Sequence, residues 1–132
     1  MVVKEEERFG LASVVGLVPF SILPAHFGGA ERCWNVLSRL GPISVRALSW
    51  GGDESSQQIG NVNYQVVAPG QDAIDHAVKM RQLGVATFDS MPHLARKHLT
   101  KFAESVKDLE PDLVILEHPW LIDFIPDGVA VV

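Results

Sequence analysis

The sequence predicts one α/β domain built on a doubly wound, mostly parallel sheet. Three observations carry that expectation. Residues 11–18 (LASVVGLV) and 113–116 (LVIL) are almost unbroken apolar runs, as strands buried on both faces require. Strand-like and helix-like stretches alternate along the chain, the pattern of parallel strands joined by helical crossovers. The 132 residues are 47% hydrophobic and 20% charged, enough for one core and too few for two ordinary domains.

Residues 1–10 are charged and read as peripheral. Residues 11–18 form the first strand, and a proline-bearing loop follows. A helix over 29–40 comes next, with Ala30, Cys33, Trp34, Leu37 and Leu40 at helical spacing and Arg32, Asn35 and Arg39 on the other side. Gly41-Pro42 ends it. Residues 43–50 (ISVRALSW) read as the second strand. Residues 51–60 (GGDESSQQIG) read as a polar loop, and 61–68 as the third strand. Pro69-Gly70 is a turn, leading into a short helix over 71–83 with Ile74, Ala77, Val78 and Arg81 near one face. Residues 84–88 fit either a short extended segment or the lead into the next helix.

The strongest helical pattern covers 91–109. Ser90 suits the N-cap and Pro92 the first turn. Ala95, Leu99, Phe102, Ala103, Val106 and Leu109 form a core-facing stripe. Arg96, Lys97, Lys101 and Lys107 share the opposite face with Glu104 and Asp108. A basic face suits peripheral contact with anionic lipid, but the admixed acids favour a solvated face. The strand at 113–116 follows, then a short helix over 120–124 stopped by Pro126-Asp127-Gly128, and a last strand over 129–132.

The formal net charge of −5 and pI of about 5.4 disfavour a general nucleic-acid binder, which needs a basic footprint. The single cysteine, Cys33, has no internal disulfide partner and points to a reducing compartment. With no apolar signal core near the start and no run of membrane-spanning length, a cytoplasmic protein is expected.

In doubly wound sheets ligands bind outside the carboxyl ends of the strands. Two loops fall there. The first carries Gly28-Gly29 at the start of a helix. Glycine allows close approach of a ligand to the main chain, and a helix N-terminus offers unpaired N–H groups to an anion or a sugar. The same glycines also suit a plain tight turn. The second loop carries Glu117 and His118. A histidine side chain such as His118 suits proton transfer or hydrogen bonding to a hydroxyl. Consecutive residues of a strand point to opposite faces, so the two need not act together, and either also suits capping the next helix. His26 reaches the same cleft or sits exposed in its loop. There is no phosphate-loop, dinucleotide or nucleophile-elbow motif. His93 and His98 are five apart and share no metal-binding face. Cys33 lies on the core face of its helix and reads as packing.

A strand, a Pro-bearing loop with Pro19 and Pro24, then Gly28-Gly29-x-x-Arg32 opening a helix resembles the start of family 4 glycosyltransferases of the GT-B fold. The stretch PDLVILEHPWL (111–121) is similar to that family's segment of a PD-led strand followed by a polar pair and a proline. The resemblance covers nearly the whole chain, 1–132, as one N-terminal Rossmann-like domain. It implies a retaining enzyme that moves a sugar from a nucleotide-sugar to an acceptor, with no metal or cofactor required. By that resemblance Gly28 and Gly29 lie in the cleft against donor phosphates or the transferred sugar. Glu117 and His118 form its acceptor-side wall, and Arg32 matches the pattern, with a binding or a structural role on the helix. His26, from its place in the loop, completes the substrate-binding candidates, and His118 is the catalytic candidate. The family's usual base would lie past Val132, and its C-terminal nucleotide-binding domain with an E-x7-E segment is absent. The chain is therefore expected to need that domain as a partner and to be inactive alone. An exposed half-cleft and sheet edge lead us to expect self-association, as a homodimer. The alternative is a non-catalytic Rossmann-like binding or partner-subunit module. A receiver-like domain would need an acidic pocket after the first strand, where Pro19-Phe20 offers none.

Overall fold

The computed structural model describes residues 13–25, 27–49, 54–85, 94 and 96–132. His26, Trp50, Ser90, Pro92, His93 and Ala95 lie outside the described residues. The chain forms β1 (Val14–Val18), α1 (Gly28–Leu37), β2 (Ile43–Leu48), β3 (Ser55–Ile59), β4 (Val62–Val67), α2 (Gln71–Gln82), α3 (Thr100–Lys107), β5 (Leu113–Leu116), a 3-10 helix (Pro119–Phe124) and β6 (Ala130–Val131). The six strands make one sheet in the order β3-β4-β2-β1-β5-β6. All neighbours are parallel except β3, which runs antiparallel to β4. The molecule is thus an α/β fold on a mixed, mostly parallel sheet, compatible with a Rossmann-like architecture.

The apolar runs become the centre of this sheet for a physical reason. Val15, Leu17 and Val18 of β1 are fully buried, and they split between two cores. Val15 and Leu17 meet α2, α3 and the 3-10 helix through Ala77, Phe102, Val106 and Phe124. Val18 faces α1 through Ala30, Cys33 and Leu37. Gly16 lets α1 sit close: a Cβ there would come within 3.0 Å of a Leu37 methyl. Burying such side chains contributes about 1.5–3 kcal/mol apiece, and a parallel strand without a wet face needs cover on both sides.

Several expectations are corrected. Residues 55–59, expected in a loop, form the edge strand β3. Four of its five residues are polar and exposed, so no apolar alternation marks it. Gly60 in the left-handed region (φ 57°) turns the chain back into β4. The long helix expected over 91–109 is interrupted at Leu99, whose backbone is non-helical (φ −111°, ψ 45°), and α3 begins at Thr100. Leu99, Phe102 and Val106 of the stripe are nevertheless buried, and its charged partners are exposed. α1 stops at Leu37 rather than Leu40, which is exposed. The core face of α2 is Ala73 and Ala77, while Val78 is exposed. The short helix after β5 is 3-10 in form and starts one residue early, at Pro119. At the far edge β6 pairs only with β5, and Val131 and Val132 are exposed.

The loop after β1 is anchored from across the sheet. The Tyr64 hydroxyl, on buried β4, accepts a hydrogen bond from the Ile22 backbone N–H at 2.9 Å and shares another with Ser21 Oγ at 3.3 Å. Ile22 is itself fully buried, so its N–H has no water to fall back on. Tyr64→Phe is expected to cost about 1–3 kcal/mol, the penalty of an orphaned buried donor, read as a lower denaturant midpoint.

Candidate functional site

The parallel strands run outward from β1 in two directions, to β2 and β4 on one side and to β5 and β6 on the other. The crossing point lies between β1 and β5, whose carboxyl ends are paired through Leu17 and Leu116. A crevice at such a point is where open α/β sheets receive ligands. The register continues one residue past β5, where the Glu117 N–H donates to Leu17 O at 3.2 Å.

α1 enters the crevice from β1. Its N-cap, Phe27, is extended and supplies no side-chain cap. The N–H groups of Gly28, Gly29 and Ala30 open the first turn, and Glu31 N–H is the first to find an intrahelical acceptor, Phe27 O at 3.1 Å. Neither Gly28 nor Gly29 has positive φ, unlike Gly41, Gly60, Gly84 and Gly128. The backbone therefore does not demand glycine at either place, and a plain tight turn is not what they make. A Cβ on Gly28 would enter open space. One on Gly29 would come within 2.9 Å of the Phe27 ring, which stands edge-on to Phe20 with centroids 4.9 Å apart.

The two sequence stretches meet in one side chain, Glu117. Its carboxylate is 10% exposed and accepts a hydrogen bond from the Cys33 thiol at 3.4 Å. Arg32 Nη2 lies 3.9 Å from the same oxygen, with its side chain 69% exposed. An ion pair that open to water contributes little to stability, so most of the guanidinium's donors are available to a ligand. Burial first, then the charge and hydrogen bond of Glu117, push the Cys33 thiol up to about 11, while Arg32 pulls the other way. Cys33 is buried as expected, but it also orients the carboxylate, a long-range contact that helical spacing alone does not reveal.

His118 turns away from this group. It occupies the N-cap position of the 3-10 helix in extended conformation, without a side-chain capping bond, and its ring lies beside the Trp120 indole, centroids 6.3 Å apart. Trp120 packs against the core on the α2–α3 side, whereas Glu117 reaches α1 on the other. The crevice thus has two walls: one with a helix N-terminus, a guanidinium and a carboxylate, the other with an imidazole and an indole. The first set suits an anion with adjacent hydroxyls. A cavity of about 290 Å³ lies elsewhere, beside Arg96, Lys107 and Asp127. The crevice is an open edge.

A raised thiol pKa sets a pH window. The unfolded thiol ionises near its ordinary 9.0, the folded one near about 11. Its stabilising contribution is whole below pH 9 and is lost as pH rises to 11. Wild-type unfolding free energy should therefore fall more steeply across pH 9–11 than that of Cys33→Ala. Glu117→Gln removes a charge that opposes the thiolate, and alkylation of Cys33 at fixed alkaline pH should accelerate.

No family model, no curated protein and no solved structure matches this chain.

Proposed function

We propose that this chain is the N-terminal, acceptor-side domain of a retaining GT-B glycosyltransferase acting in the cytoplasm, which moves a sugar from a nucleotide-sugar to an acceptor. The single observation that supports this best is the junction at Glu117. It ties the Gly28-Gly29-x-x-Arg32 stretch to the stretch 111–121 through the Cys33 hydrogen bond and the Arg32 approach. The two stretches that resemble the family in sequence are therefore neighbours at the crossing point of the sheet.

The chemistry is consistent with the reading. Donor phosphates, or the charge developing on a leaving diphosphate, suit the first-turn N–H groups of α1 and the exposed guanidinium of Arg32. Glu117 suits a sugar hydroxyl as acceptor of a hydrogen bond. His118, on the far wall, suits the acceptor hydroxyl as its hydrogen-bonding or proton-accepting partner. Gly28 leaves the main chain open to a phosphate that a side chain would fend off. The second domain of such an enzyme would close the crevice from above.

The test is titration with UDP-glucose and GDP-mannose as probe nucleotide-sugars, followed by amide NMR. Shifts should centre on Gly28, Gly29 and Glu117. Gly28→Ala should fold with an unchanged or slightly higher Tm, since an alanine Cβ meets open space and alanine favours the helix. Gly28→Val should abolish the shifts while keeping the fold. Shifts absent from this edge for both probes, or unaltered in Gly28→Val, would sink the proposal.

A further inference from the structure

A charged cluster stands apart from the crevice, where α3 packs against the 3-10 helix and the turn that follows it. Glu104 and Lys107 lie three residues apart on α3, and both are exposed. At that spacing two side chains are neighbours on a helix surface. Arg96 comes from the chain just before the break at Leu99. Its Nη2 donates to the carbonyl oxygen of Ile125, so the guanidinium is tied to the end of the 3-10 helix. Asp127 comes from the turn into β6, between Pro126 and Gly128, whose φ of 81° lies in the left-handed region.

These four side chains border one cavity of about 290 Å³. Its floor is apolar and consists of Ala103, Pro126 and the buried ring of Phe124. The volume stands at the lower end of the range for small-molecule sites, roughly 300–1,000 Å³. Arg96 and Asp127 also border a neighbouring hollow of about 470 Å³, and both are exposed, so solvent reaches the cavity past them.

The charges decide what the cavity takes. Two cations and two carboxylates border it, and none of the four is ion-paired with a described residue. A ligand of one sign is attracted by one pair and opposed by the other. A ligand with both signs close together is attracted by both pairs, and its apolar part covers the floor. The carboxylate and ammonium on one carbon of an α-amino acid have this form. Arginine's planar fork matches a carboxylate, and the bond to Ile125 holds Arg96 in place before a ligand arrives. We propose that this cavity binds a free α-amino acid with an apolar side chain. The carboxylate meets Arg96 and Lys107, the ammonium meets Glu104 and Asp127, and the side chain lies over Phe124 and Pro126. None of these residues belongs to the crevice, so this binding does not depend on the function proposed above.

The probes are L-leucine, L-methionine and L-phenylalanine, titrated at pH 7 and constant ionic strength and followed by amide NMR. At least one should shift the resonances of Ala103, Glu104 and Asp127 saturably. For the probe that binds, the analogue lacking the ammonium and the analogue lacking the carboxylate should each bind at least about tenfold more weakly, the cost of one lost charge-assisted contact. Asp127→Asn and Lys107→Gln alter exposed ends and should keep the fold. Asp127→Asn should weaken the amino acid by a similar factor and leave the deaminated analogue unweakened. Lys107→Gln should weaken the amino acid and leave the decarboxylated analogue unweakened. Saturable shifts with this double selectivity support the site. The proposal is overturned if none of the three probes produces saturable shifts there, if either analogue binds as tightly as its parent, or if both folded variants keep full affinity.

Discussion

The constraint on which the structure depends is that β1 has no face turned to water. A parallel strand with Val15 and Leu17 on one side and Val18 on the other must be covered twice. The chain meets this by laying α1 over one face and α2, α3 and the 3-10 helix over the other. To do so it adds strands first on one flank of β1 and then on the other. That change of direction leaves the carboxyl ends of β1 and β5 side by side, with the start of α1 above them. Hydrophobic cover and crevice therefore have one origin.

Sequence patterns reveal what burial imprints on them. The runs at 14–18 and 113–116 show their strands because both faces are apolar, and the stripe Leu99, Phe102 and Val106 shows its helical face. β3 left no imprint, since Ser55, Ser56, Gln57 and Gln58 are all exposed and are held by backbone pairing and the side-chain bonds of Gln58. The break at Leu99 was equally hidden, because the apolar spacing continues straight through it. Arg46 looks like an ordinary outward residue in ISVRALSW, yet a covering helix buries it. Local pattern carries no information about which neighbour will arrive later in the chain.

The candidate site was legible as two loops at one sheet edge, but not as an arrangement. Alternation along a strand indicates that Glu117 and His118 diverge; it does not say which of them joins α1. The structure gives that place to Glu117, through a cysteine one helical step from Arg32. It also removes the conformational explanation for Gly28 and Gly29, since both adopt helical backbone that any residue accepts. What remains particular about Gly28 is the empty volume where a side chain would be.

Tyr64 has a consequence of another kind. It is the only tyrosine in the chain, and its hydroxyl holds the loop between β1 and the glycines. Its ring lies 6.4 Å from the Trp34 indole, on the helix that those glycines begin. One intrinsic chromophore pair therefore spans loop and helix together. With Trp50 and Trp120 replaced by phenylalanine, energy transfer from Tyr64 to Trp34 gives an optical gauge of whether that corner of the molecule is assembled, without any label.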